Sequence, residues 1–149
     1  MNKAVRYFSK LGNTKTIAVA IAEGAGVLAM SITDEPELKQ RVDILLLSGA
    51  PYANIIAPEL RGYAVRLGKN MVGSVLLFTT SNWSRRTVLA LKKLLTEKGI
   101  SVDADNFYAH MYIYSWWMPG LNGIHNCNYS PSIAYILSDD DFVKTITDV

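Results

Sequence analysis

AVRYF-SKLGNT-KTIA, residues 4 to 18, reads as a strand that runs through a short polar loop directly into a helix. Ala4 to Phe8 is apolar except for Arg6. Ser9 to Asn13 is polar and carries one glycine. From Thr14 to Glu23 the spacing turns helical, with Ile17 and Ile21 four apart and Ala18 and Ala22 likewise, which makes one apolar stripe. Gly24 and Gly26 then stand where glycines end helices. The loop has hydroxyls at both ends, and Gly12 allows close backbone approach. Backbone N–H groups at a helix start, helped by the dipole, make a site for a phosphate. The loop lacks the Lys-Ser/Thr ending of a P-loop and the three glycines of a dinucleotide fingerprint. It therefore suits one terminal phosphate held without a metal. Taken out of this position, the same SxxGNT string reads only as a capped turn.

The rest of the chain repeats the alternation of short apolar runs with segments of helical period. Val27 to Ile32 reads as a second strand, and Asp34 to Gln40 is short and charged, with Pro36 near a possible helix start. Asp43 to Ser48 contains Ile44, Leu45, Leu46 and Leu47, a continuous apolar run suited to a strand buried on both faces. Pro58 to Leu67 reads as a helix with proline at an early position, and Val72 to Thr79 as another buried strand. Ser84 to Lys98 has the clearest helical pattern. Val88, Leu91, Leu94 and Leu95 form its stripe, Ser84 is a candidate N-cap and Gly99 a candidate stop. Phe107 to Tyr114 fits a fifth strand, Ser115 to Pro131 a loop rich in Trp, Asn, Gly and Pro, and Asp139 to Thr147 a terminal helix. Such alternation implies a parallel sheet with helices on both faces, in one α/β domain over residues 1–149.

Composition removes several classes of function. The chain has 149 residues, half of them hydrophobic, enough apolar material to rule out intrinsic disorder. One cysteine, Cys127, excludes an internal disulfide, and with only His110 and His125 beside it the usual zinc signatures fail, so no metal is expected. A net charge of +2 is no nucleic-acid footprint. The apolar runs Ile44–Leu47 and Val75–Phe78 are too short to span a bilayer, and Met1 to Phe8 lacks the h-region of a signal peptide. The expected compartment is the cytoplasm, without membrane or nucleic-acid partners.

In an open parallel sheet ligands bind beyond the carboxyl ends of the strands. Three segments stand there: Ser9-Lys10-Leu11-Gly12-Asn13-Thr14, Ser48-Gly49-Ala50-Pro51-Tyr52 and Thr79-Thr80-Ser81-Asn82-Trp83. Strand, then SKLGNT, then KTIA resembles the phosphate loop of the flavodoxin family, where Ser/Thr-x-Thr-Gly-Asn-Thr follows a strand. LLLSGAPY and LLFTTSNW fall where that family places the loops that grip its flavin ring. The resemblance covers roughly residues 3 to 114, and SDDDFVKTI is similar to the start of the family's last helix. It implies a flavodoxin-like three-layer fold, a five-stranded parallel sheet in the order 2-1-3-4-5, and non-covalently bound FMN. It also implies that Ser9, Gly12, Asn13 and Thr14 hold the FMN phosphate. Lys10 takes the variable position, and Leu11 replaces a residue that is commonly Thr, losing one hydroxyl donor. Ser48 to Tyr52 would then lie along one side of the flavin and Thr79 to Trp83 along its other edge. Tyr52 and Trp83 are candidates for stacking.

The resemblance implies electron transfer through FMN to a redox partner protein. Two alternatives stand beside it: an FMN-dependent oxidoreductase acting on a small-molecule acceptor such as a quinone, and a flavodoxin-like binding module without flavin. Low-potential carriers of this family are acidic, yet the three loops contain no Asp or Glu. The fully reduced couple is therefore expected at a less negative potential than in an acidic flavodoxin. Arg6 is an oddity in a central strand, because a buried charge must be paired or neutralised.

Overall fold

The computed structural model describes residues 1–52, 55–80, 86–103 and the backbone of 107–108. Its elements in chain order are β1 (Lys3–Phe8), α1 (Asn13–Gly24), β2 (Ala29–Ser31), β3 (Val42–Gly49), α2 (Pro58–Arg66), β4 (Val72–Thr79), α3 (Arg86–Glu97), β5 (Ser101–Val102) and β6 (Phe107–Tyr108). All strands are parallel, in the order β2-β1-β3-β4-β5, with β6 also paired to β4. One edge of β4 is taken by β3. On the other, Ser74 and Val75 meet β5 while Phe78 and Thr79 meet β6. Two short strands thus share the fifth position, which the sequence pattern gave to Phe107–Tyr114 alone; 109–114 lie outside the described residues.

Side chains alternate across the sheet because a strand has a period of two. Val5, Tyr7, Leu46, Leu76 and Phe78 face one way and pack with Ile17, Ala18, Ile21 and Ala22 of α1. Ala4, Phe8, Leu45, Leu47, Val75 and Leu77 face the other way, against Leu60, Tyr63 and Ala64 of α2 and Val88, Leu91 and Leu95 of α3. The helices on the two faces make three layers with the sheet. The continuous run of apolar residues in β3 and β4 follows, since both of their faces are covered.

Helix ends account for the differences from the sequence pattern. Gly24 is the last residue of α1, not its stop. Gly26, at φ 68°, is the stop: its N–H donates to Glu23 O and that of Val27 to Ala22 O. Val27 is thus engaged in closing α1, and β2 shortens to three residues. Gly99, at φ 72°, ends α3 in the same way, with Ile100 N–H on Leu95 O and both side chains buried. Residues 34–40 form no helix. Pro36 restricts the residue before it to extended backbone, and seven residues are too few to hold a helix unaided. Ser84, the candidate cap of α3, His110, Cys127, the loop Ser115 to Pro131 and the terminal helix Asp139 to Thr147 lie outside the described residues.

Arg6 sits on the α2 face of the central strand, 7% exposed. Its Nη2 donates to Glu35 Oε2 at 2.7 Å and its Nη1 to Val5 O at 3.2 Å. Lys39 Nζ binds the other oxygen of Glu35 at 2.6 Å. The hydrogen bond from Lys39, joined by the charges of Lys39 and Arg6, holds the Glu35 carboxyl below the usual carboxylate range. The non-helical strap after β2 therefore supplies the counter-charge that a central-strand arginine requires. No helix among the described residues is long and apolar enough to cross a membrane.

Candidate functional site

The parallel topology carries the loops after β1, β3 and β4 to one end of the sheet. In the first loop Gly12 is the N-cap of α1, at φ 89°, a conformation side chains resist. The Gly12 N–H donates to Ser9 Oγ at 3.0 Å, so the Ser9 hydroxyl accepts within the loop. No side chain caps α1, and no acidic residue stands in its first turn. Among the described residues, the first-turn N–H groups and the positive end of the dipole therefore have no side-chain partner. Thr16 turns inward, its N–H and its hydroxyl both donating to Gly12 O.

Contacts tie the three loops to one another. The Lys10 N–H donates to Tyr52 Oη at 2.8 Å, and the Lys10 ammonium stands 4.8 Å from the centre of the Tyr52 ring. Phe8 meets Tyr52 edge to face at 5.9 Å. Thr14 and Thr80 join hydroxyls at 3.0 Å, and the Thr79 hydroxyl donates to Gly49 O at 2.9 Å. Each pair of loops is thus joined by at least one polar contact. Ile55, 60% exposed, is held by reciprocal backbone bonds to Tyr52.

The named site residues divide by depth. Ser48, Gly49 and Thr79 lie at the ends of their strands in buried positions, and among the described residues the Ser48 hydroxyl has no partner. A side chain at Gly49 would run into Leu60 Cδ2, so glycine there lets α2 pack against the loop end. Thr14 is buried too, while Ser9, Gly12, Asn13, Ala50, Pro51, Tyr52 and Thr80 are half-buried. Lys10 and Leu11 face solvent, Leu11 at 79% exposure. Ser81, Asn82 and Trp83 lie outside the described residues. Lys10 is the sole charged residue of the three segments. Sequence reasoning missed Phe8 and Ile55, which fix Tyr52; the only signal was their place beside a strand end and a proline turn.

Solved structures share this architecture. A flavodoxin from the domain Archaea is 16% identical, with a TM-score of 0.61 over 98% of this chain and 99% of that one. A flavodoxin variant from Fusobacterium nucleatum, bound to flavin mononucleotide, is 16% identical, with a TM-score of 0.55 over 76% of each chain. The fold is flavodoxin-like. The flavodiiron core of Synechocystis Flv1 is 21% identical, with a TM-score of 0.56 over 74% of this chain, which covers 30% of that longer protein. No family model matches the chain, and no curated protein matches its sequence.

Proposed function

We propose that this chain binds FMN non-covalently across the three loops and transfers electrons through it. The observation that carries the reading is the uncapped start of α1, set in a loop that hydrogen bonds already join to the other two. Low-identity flavodoxin neighbours, one of them holding FMN, support it. The Ser9 hydroxyl, the first-turn N–H groups around Asn13 and Thr14, and the Lys10 charge would hold the phosphate. Leu11 brings no hydroxyl to this loop, and its side chain is exposed. Ala50, Pro51 and Tyr52 would flank one side of the ring, with Lys10 backing one face of Tyr52. Thr80, with Ser81, Asn82 and Trp83, would take the other edge.

Bound FMN supplies the one- and two-electron chemistry, while the protein supplies binding and field. Lys10 and the α1 dipole place positive potential at this end, which favours added negative charge. In this reading the chain is one cytoplasmic domain that exchanges electrons with a redox partner protein or a small-molecule acceptor. Titration of flavin fluorescence tests it: FMN is quenched in a saturable way, and riboflavin binds more weakly. Equal affinity for both would remove the phosphate site. No quenching by either would remove the flavin.

A further inference from the structure

The phenol of Tyr52 reaches out of its own loop and ends on the loop after β1. There the Lys10 N–H donates to Tyr52 Oη at 2.8 Å, in a bond open to solvent. Neighbours on three sides set the ring. Phe8 meets it edge to face at 5.9 Å, the Lys10 ammonium stands 4.8 Å from its centre, and Ile55 holds its backbone by reciprocal hydrogen bonds. A phenol oxygen that accepts one hydrogen bond still has its own O–H to donate, and among the described residues no acceptor takes it. The hydroxyls at the start of α1 are more committed. Thr14 Oγ1 is tied to Thr80 Oγ1 at 3.0 Å, and Thr16 Oγ1 donates to Gly12 O at 3.2 Å. Leu11 brings none. Tyr52 thus sets a neutral donor, beside the Lys10 charge, on the loop that leads into a helix start no side chain caps.

We propose that the Tyr52 hydroxyl is a ligand of the flavin nucleotide's phosphate: it donates to a phosphate oxygen while its own oxygen keeps the Lys10 N–H. This rests on the FMN reading above and adds a second role to a residue placed there only beside the ring. A ring that merely flanked the flavin would have no use for a hydroxyl set on the other loop. Hydrogen bonds to a charged acceptor exceed those between neutral groups. Riboflavin ends in a hydroxyl where FMN carries its phosphate, so it gains at most a neutral bond from the same donor. Tyr52 therefore sets the discrimination between the nucleotide and its dephosphorylated form.

The test compares Tyr52→Phe with the native chain in fluorescence titrations of FMN and of riboflavin, with inorganic phosphate as a competitor of FMN. Phenylalanine keeps the ring, its edge contact with Phe8 and its place beside the Lys10 ammonium, and removes only the hydroxyl. FMN affinity falls about tenfold, phosphate competes less well by a similar factor, and riboflavin affinity stays within about twofold. Amide exchange in the flavin-free variant is the second readout. Gly12 and Thr16, whose N–H groups are bonded within the loop, exchange as they do in the native chain. Unchanged FMN affinity, an equal loss for both flavins, or tighter FMN binding would each overturn the proposal, because the hydroxyl would then be idle, serve the ring, or obstruct the phosphate. Weaker FMN binding with faster exchange at Gly12 and Thr16 would make the hydroxyl a strut for the loop, and would overturn it equally. A native chain that binds no flavin, or binds FMN and riboflavin alike, would remove the FMN reading and this inference with it.

Discussion

Replacing Leu11 by threonine restores the hydroxyl that the flavodoxin pattern carries and this chain lacks. The side chain is 79% exposed, so its removal forfeits little buried surface. None of the polar contacts that shape the loop uses it: Gly12 binds Ser9, and Lys10 binds Tyr52 through its backbone N–H. Leu11→Thr should therefore leave the melting temperature of the flavin-free protein unchanged within about 2 °C, as for other surface changes of under about 0.5 kcal/mol. A new hydroxyl donating to a phosphate adds a hydrogen bond to a charged acceptor, about 1.5 kcal/mol at the weak end of the range. That is about a tenfold fall in the FMN Kd. The assay is flavin fluorescence quenching with FMN and riboflavin side by side, at one fixed ionic strength. The FMN constant should fall while that of riboflavin stays where it was. Unchanged FMN affinity would refute the placement of the phosphate against this loop. Equal tightening of both flavins would show the hydroxyl acting on something other than phosphate.

Further outcomes follow from the same contacts. Gly49→Ala forces a methyl group onto the fully buried Leu60, an overpacking cost of about 1–3 kcal/mol. In a chain of this size it should lower the melting temperature by about 3–10 °C, and a fall of under about 1 °C would mean that α2 yields freely. Glu35 is held below the ordinary carboxylate pKa, so its contribution to stability is complete above about pH 4.3 and is lost as the pH falls through the lowered value. Glu35→Gln should flatten that acid limb in denaturant melts recorded from pH 6 to pH 2, roughly the span of carboxylate titration. Tyr63 has the opposite sign: its raised pKa favours the fold below about pH 10, an advantage lost as the pH rises through the folded value. Tyr63→Phe should be the more resistant to alkali of the two proteins. In a redox titration, the FMN-loaded protein should give a less negative potential for full reduction than an acidic flavodoxin, and Lys10→Gln should move it more negative; a value as low as the acidic proteins show would remove that inference.

The sheet was legible because both of its signals are local. Parallel strands covered on two faces appear as unbroken apolar runs, and Asp43–Ser48 and Val72–Thr79 appear as β3 and β4 almost residue for residue. The loop SKLGNT was legible for the same reason, since a strand end, a glycine and a helix start are consecutive in the chain. The length of β2 was not. Whether Val27 joins a strand or closes a helix depends on which glycine takes a positive φ, and two candidates stood two residues apart. The fifth sheet position was hidden because Ser101–Val102 is too short to show a period and gains its strand geometry only by pairing with Ser74 and Val75.

The strap shows where local reading fails for a physical reason. Arg6 lies 29 residues from Glu35, and neither residue carries a sign of the other in its neighbours. Pro36 stood near a possible helix start, and Glu35 and Lys39 stand four apart, the spacing of a helical ion pair. In the fold that spacing serves a different end. A strap that turns at residues 32–34 lets one carboxylate meet both cations, and Glu35 supplies the counter-charge to Arg6 in the middle of a buried sheet. The absent helix and the paired charge of the central strand thus have one origin, in how the chain crosses from β2 to β3. Substituting Arg6 by methionine should release the strap as well as the ion pair, and protease cleavage between residues 34 and 41 should then outpace cleavage anywhere in β1 or β3. Cleavage no faster than in the native chain would show that Arg66 and the packing of Leu38 hold the strap without Arg6.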